Sequence, residues 1–355
     1  MAYHFELPAF TALKENQRLA LEENDAIALT GGPGTGKTVV SLWRHIRNYE
    51  LNNIQSLLLT YTKTLEYYLK QTARIQDEDA SNNVNRTLRW TNNPNGNYEE
   101  IIIDEAQDVA LSRYNIIKNH ADIVSYGADE AQSLYCPDCS TIDELRELFP
   151  DNEEYELAQN FRNSKEILLF TKAVFPDLYI KEIESATLKE RKPYVQELGW
   201  DDYEDNVIDE IIEITEDFPE PTHNIGVLLP FEKDVDKYFD LLSDKITCSK
   251  YHNKMPDFEE LERIHVTTFK SAKGLEFDTV ILPRFDSYKW FIDNEKLPVE
   301  ENDYYVALTR AKLNLYLLCK NDINNIDSDT YDTEKSETGI GHISTEEAPS
   351  DDLPF

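Results

Sequence analysis

Cysteine is sparse in this sequence: four residues in 355, too few for a disulfide scaffold. Cys136 and Cys139 form a C-x-x-C, but Cys248 and Cys319 stand far away and alone. A closed four-ligand zinc site would need distant partners, so the pair is read as reduced thiols in a loop. Long apolar runs are missing, and so is a signal-peptide pattern, which points to a soluble, cytoplasmic protein with no membrane span. Basic residues are short: 35 Lys and Arg stand against 69 Asp and Glu, a formal net charge of −34. That balance works against non-specific attraction to phosphate backbones. It leaves room for a local basic groove, because the local field matters more than the sum. No internal repeat is visible, and the length suits two domains.

Against these absences stands one dense stretch, Gly31-Gly32-Pro33-Gly34-Thr35-Gly36-Lys37-Thr38. It reads G-x-x-x-x-G-K-T, the phosphate-cradling P-loop. Its glycines let the backbone turn tightly and aim N–H groups at a polyphosphate, helped by the start of the following helix. Lys37 would reach the β/γ-phosphates and Thr38 would hold Mg²⁺. A short apolar strand, Asp25 to Thr30, precedes the loop, and a helix opens at Val39. Ile101-Ile102-Ile103-Asp104-Glu105 then reads as a buried strand ending in two acids. The first carboxylate can hold Mg²⁺ and the second can polarise water.

Further along, strands are expected at Leu57–Thr62, Ile123–Tyr135, Ile225–Leu229, Ile264–Thr268, Thr279–Leu282 and Leu313–Cys319. Helices are expected at Phe10–Leu21, with Thr11 as cap, and at Thr64–Ile75, Asp205–Phe218, Glu232–Leu242 and Pro298–Lys312. Residues 76–97 read as a polar connection. Strands interleaved with helices argue for α/β architecture with parallel sheets. The divisions expected are residues 1–150, 151–320 and an acidic, disordered tail over 321–355.

These motifs resemble, in order from Leu13 to Lys312, those of the UvrD/Rep-type superfamily 1 helicases. The resemblance implies two RecA-like P-loop domains with an ATP site between them. Leu13 to Ala20 resembles the adenine-reading Q motif, with Gln17 on the base. Gly32, Gly34, Thr35, Gly36, Lys37 and Thr38 form motif I. Thr60-Tyr61-Thr62 resembles motif Ia, which puts Tyr61 and Thr62 on single-stranded DNA. Asp104-Glu105-Ala106-Gln107-Asp108 is a full motif II, with Asp104 on Mg²⁺ and Glu105 activating water. Gly127 to Tyr135 resembles motif III, in which Gln132 would link the γ-phosphate to the strand. In Asn160-Phe161-Arg162, Phe161 would stack on adenine and Arg162 would touch the γ-phosphate. Ser271 to Asp278 resembles motif V, with Glu276 near the ribose and Lys270 in the place of a strand-contacting histidine. Tyr305 to Lys312 resembles motif VI, whose arginine finger is Arg310.

The chain departs from the family pattern in two ways. Motif III runs into Cys136-Pro137-Asp138-Cys139 where the family has a base-packing segment. The gaps between motifs are also short: about forty residues separate Ia from II and about twenty-five separate V from VI, too few for an inserted domain. The expectation is a minimal two-domain core using ATP and Mg²⁺, moving 3′ to 5′ on single-stranded DNA, with RNA left open. The alternative is an ATP-gated interaction subunit with little unwinding. At the end of the chain, Asp351-Asp352-Leu353-Pro354-Phe355 resembles the terminal peptide of bacterial single-stranded-DNA-binding proteins, which implies a protein partner for the tail.

Overall fold

The computed structural model describes residues 2–51, 53–129, 140–178, 180, 183–255, 260–323 and 325–334. After a 3-10 turn at Phe10–Ala12, the first half runs α1 (Glu15–Glu22), β1 (Ile27–Thr30), α2 (Lys37–Glu50), β2 (Ser56–Thr60), α3 (Lys63–Gln76), α4 (Glu78–Asn82) and β3 (Val84–Arg86). It continues with α5 (Thr87–Asn92), β4 (Tyr98–Ile103), α6 (Leu111–Lys118), β5 (Ala121–Ala128), α7 (Ile142–Leu148) and β6 (Glu153–Glu156). The second half runs α8 (Lys165–Val174), β7 (Tyr194–Glu197), α9 (Tyr203–Asp217), β8 (Ile225–Leu229), α10 (Glu232–Ser243) and β9 (Ser249–Tyr251). It ends with β10 (Ile264–Thr268), β11 (Phe277–Pro283), α11 (Tyr288–Asp293), α12 (Glu301–Leu308) and β12 (Ala311–Cys319).

The strands form two six-stranded sheets, ordered β3-β2-β4-β5-β1-β6 and β7-β12-β11-β8-β10-β9. Every pairing within them is parallel. This is the α/β arrangement expected, and its cause is local. Parallel strands need long crossovers and end up covered on both faces, so the inner ones read as continuous apolar runs. β2, β8 and β10 are buried throughout.

The two lobes share one apolar junction. Leu65 and Leu69 of α3 belong to the same buried cluster as Phe269, Leu275 and Phe277 of the second lobe. Gly274, at φ +86°, lets the backbone approach so closely that a Cβ there would lie 2.7 Å from a methyl of Leu65. Across the same seam, Thr64 Oγ1 donates to the Ser271 carbonyl at 2.8 Å.

Several sequence expectations are corrected. The first sheet extends beyond residue 150, because β6 pairs with β1. Residues 76–97 carry two short helices and the edge strand β3. The strand expected to reach Tyr135 ends at Ala128, and the helix expected over Pro298–Lys312 is α12, shorter at both ends. Thr11 lies in the 3-10 turn; α1 begins after Lys14, whose N–H donates to Gln17 Oε1 at 2.9 Å. The stretch from 321 is packed as far as it is described. Ile323, Ile326 and Tyr331 are buried, and Asp332 exchanges backbone hydrogen bonds with the edge of β7.

Candidate nucleotide site between the lobes

The cleft meets the first sheet at its carboxyl edge, where ligands of parallel sheets gather. Lys37 and Thr38 follow β1, Asp104 and Glu105 follow β4, and Asp129 follows β5. The second sheet presents its opposite edge. Glu276 immediately precedes β11 and Arg310 immediately precedes β12. The connection from β10 to β11 is only eight residues (269–276) and runs along the seam, carrying Lys270, Lys273 and Glu276 with it.

On the first wall, Gly34 and Gly36 take φ of +71° and +92°, the left-handed region that favours glycine. A Cβ on Gly36 would sit 2.3 Å from Gln17 Nε2, and one on Gly34 would sit 2.7 Å from Arg162 Cβ. Lys37 Nζ donates to the carbonyls of Gly31 and Gly32 at 2.6 and 2.8 Å and lies 3.5 Å from Asp129. Thr38 Oγ1 donates to Asp104 Oδ2 at 2.9 Å. Burial and the neighbouring Glu105 push Asp104 up to about 7. Glu105 sits at φ +60°. Its own burial would raise it, but Lys273 and Lys37 outweigh that and hold it below the usual carboxylate range. Gln107 Nε2 donates to Glu105 at 2.5 Å, while Gln107 Oε1 accepts from the Asp129 amide at 3.0 Å.

On the second wall, Arg162 Nε donates to Glu276 Oε2 at 2.8 Å. Arg310 is buried, with Nε on the Val306 carbonyl at 3.1 Å and an Nη on the Leu275 carbonyl at 3.3 Å. Burial, aided by the facing Arg162, presses Arg310 down to about 9. A guanidinium this strongly basic still stays charged at neutral pH. Lys273 is buried 2.6 Å from Asp108 and 3.5 Å from Glu105. Burial works to discharge it, but the two carboxylates overcome this and raise it.

Asparagines tie the walls together. Asn160 Nδ2 donates to the Pro33 carbonyl at 2.8 Å and to Asn163 Oδ1 at 3.2 Å. Asn163 Nδ2 donates to the carbonyls of Thr309 and Ala311, which flank Arg310, at 3.0 and 2.7 Å. The P-loop and the Arg310 turn are thus joined by two buried side chains.

Gln17, Gly34, Gly36, Lys37, Thr38, Glu105, Phe161, Arg162, Glu276 and Arg310 all line one cavity of about 350 Å³. Asp104 sits behind it on Thr38. Gly32 and Thr35 shape the loop, the latter with its hydroxyl on the Gly32 carbonyl at 2.9 Å. Gln17 Nε2 donates to the Thr35 carbonyl at 3.0 Å, and Phe161 is 46% exposed, open for stacking. The strand-contact candidates lie elsewhere along the seam. Tyr61 packs half-buried against the first lobe's core. Thr62 caps α3 through the Leu65 amide and reaches the Lys273 carbonyl at 3.4 Å. Lys270 Nζ is 3.7 Å from Asp303 and donates to the Pro298 carbonyl. Gln132, Cys136, Cys139 and the terminal Asp351, Asp352, Leu353, Pro354 and Phe355 lie outside the described residues. Sequence reading did not single out Lys273, Gln107, Asp108 or Asn163. All but Asn163 lie inside motifs already quoted, and Asn163 directly follows one.

A P-loop carboxyl edge facing an arginine-bearing wall is the arrangement of a candidate nucleotide site between two lobes. Comparison with known proteins narrows the class. Residues 24–198 match the Schlafen group 3 DNA/RNA helicase domain, and residues 232–322 match the UvrD-like helicase C-terminal domain. A probable DNA helicase of Mycoplasma pneumoniae is 26% identical over 239 residues, covering 61% of this chain and 43% of its own length. The RecBCD subunit RecB of Chlamydia pneumoniae is 42% identical over 59 residues, 17% of this chain and 5% of that protein. The chain therefore spans less than half the length of these curated relatives. In fold it is similar to Dbp5 of Saccharomyces cerevisiae, solved with RNA and ADP–BeF3, at TM-score 0.53 and 12% identity over 89% of this chain and 85% of that one. Both halves of the chain are thus similar to helicase domains, on a fold of two parallel α/β lobes. Among the described residues no helix is long and apolar enough to cross a membrane.

Proposed function

We propose that the chain hydrolyses ATP in the interlobe cavity and uses the cycle to move along single-stranded nucleic acid. The observation that carries this is the single cavity lined by the P-loop from one lobe and by Arg162, Glu276 and Arg310 from the other. The P-loop amides and Lys37 receive the phosphates, and Gln17 and Phe161 receive the base. Thr38 and Asp104 would hold Mg²⁺, whose charge would neutralise phosphate oxygens. The residues fit both groups. A cation beside Asp104 would relieve its raised pKa, and an anion between Arg162 and Arg310 would offset the burial and the repulsion that lower Arg310.

Glu105, kept ionised in a buried place by Lys273 and held by Gln107, accepts the proton of the attacking water. Arg162 and Arg310 meet the charge that develops on the transferred phosphoryl group. Both arginines come from the second lobe, so hydrolysis and lobe spacing are coupled. Single-stranded DNA travelled 3′ to 5′ is the substrate favoured, along the seam marked by Tyr61, Thr62 and Lys270.

One observation favours a second reading, an ATP-gated interaction module. Lys270 is engaged by Asp303 and the Pro298 carbonyl, which weakens the phosphate track. ATPase rates with single-stranded DNA, duplex DNA and RNA at a stated salt concentration separate the two. Strong stimulation by a single strand supports the motor. A rate indifferent to every nucleic acid supports the module. Absence of ATP hydrolysis under all conditions would overturn both.

A further inference from the structure

The N-terminal residues before α1 do more than lead into the first lobe. Tyr3 is buried, its N–H donates to the Leu261 carbonyl at 2.8 Å, and its hydroxyl donates to the Glu276 carbonyl. Its ring packs edge-on against Phe277 of the second lobe and Tyr68 of the first. The next residue is clasped by a side chain that imitates a strand partner. The His4 amide donates to Asn224 Oδ1, and Asn224 Nδ2 donates to the His4 carbonyl, both at 2.9 Å. These holds are on the second lobe. Two residues later the chain is held by the first. Tyr68 donates to the Glu6 carbonyl at 3.0 Å and Trp43 Nε1 donates to the Pro8 carbonyl at 2.9 Å. Within this second set of holds, Glu6, Leu7 and Pro8 line the nucleotide cavity. A second cavity of about 290 Å³ beside Glu276 is walled by Tyr3, His4 and Glu6 and shares Glu6, Tyr68, Glu276 and Lys312 with the first.

From this arrangement we propose that residues 2–8 are an interlobe strap, and that Tyr3 is a positioning residue which fixes Glu276 and so sets the sugar end of the nucleotide cleft. The proposal rests on the reading of the cleft as an ATP site. Glu276 is pinned at two points, its carboxylate by Arg162 and its backbone by Tyr3. Burial raises the Tyr3 phenol well above its ordinary range, so it remains a donor at all working pH. Loss of the backbone anchor frees the carboxylate to follow Arg162, which blurs contact with the sugar hydroxyls while leaving Glu105 and Arg310 in place.

The test is Tyr3→Phe, which keeps the ring and its packing and removes only the hydroxyl. ATP and 2′-deoxy-ATP are compared as substrates in the full chain. The expected result is a KM for ATP raised about three- to tenfold, the scale of one hydrogen bond. It comes with kcat near the wild type, weaker discrimination against the deoxynucleotide, and only a small drop in melting temperature without nucleotide, from the one buried hydrogen bond lost. Asn224→Ala, which releases His4, shifts KM in the same direction. Wild-type KM and wild-type discrimination in Tyr3→Phe would overturn the proposal. So would a fall of kcat and kcat/KM together with a lowered melting temperature, the mark of a purely structural role. Failure of the wild type to bind ATP would overturn the ATP-site reading as well. ATP binding with an unaffected Tyr3→Phe overturns the strap alone.

Discussion

The two walls of the cleft face opposite electrostatic problems. The first lobe gathers Asp104, Glu105 and Asp129 around Lys37, and burial drives Asp104 up. The second lobe crowds Arg162, Lys273 and Arg310, and burial drives Arg310 down. Each wall is strained by its own like charges and partly relieved by the other, as in the pairing of Lys273 with Asp108 and Glu105. A chain of formal charge −34 therefore keeps a concentrated group of cations where phosphate charge would develop. The lesson is that net charge describes the surface, and the sign of a site is set locally.

The sharpest way to break the comparison is to remove the buried arginine of the second wall. Arg310→Ala is expected to lower ATP turnover by about 10³-fold or more while leaving the fold intact, the scale of an arginine finger. Single-turnover kinetics beside a melting curve would check it. Glu105→Gln on the opposite wall is expected to cost about 10²–10⁴-fold in kcat, the scale of a general base, with ATP binding preserved. Undiminished kcat would remove Glu105 from that role.

Lys273→Ala attacks the link between walls. It takes the ammonium away from buried Asp108 and one of two neighbouring cations from partly buried Glu105, and should cost about 3–5 kcal/mol of stability, read by denaturant titration. A smaller effect sharpens the acidic wall. Because the folded state holds Asp104 above its ordinary value, protons compete with a cation there below about pH 7. Mg²⁺ affinity, followed by titration calorimetry with ADP present, should rise with pH through that range and level off above it. By the same sign, stability without Mg²⁺ should fall as pH climbs from the ordinary aspartate range to about 7. The smallest effect belongs to the seam. Thr62→Ala removes the cap of α3 and should cost about 1 kcal/mol, with a matching small loss of melting temperature.

How far the sequence could be read differs between the middle and the edges of each sheet. Central strands such as Ser56–Thr60 and Ile264–Thr268 are buried on both faces and so are written in apolar residues. Edge strands are short and half-solvated. Val84–Arg86, Glu153–Glu156, Tyr194–Glu197 and Ser249–Tyr251 therefore look like polar loops. The same logic holds in the site. Lys37, Asp104 and Glu105 sit in contiguous motifs, because one loop or strand end must deliver several groups at once. The Lys273–Asp108 pair, the Asn160–Asn163 relay and the Tyr3 strap are long-range side-chain contacts, and no local pattern encodes them.

The most direct measurement is steady-state ATP hydrolysis by the wild type and by Lys37→Ala, each purified and shown to be folded. A P-loop site between the lobes predicts measurable turnover in the wild type and none above background in the variant. Equal turnover in the two proteins would contradict it.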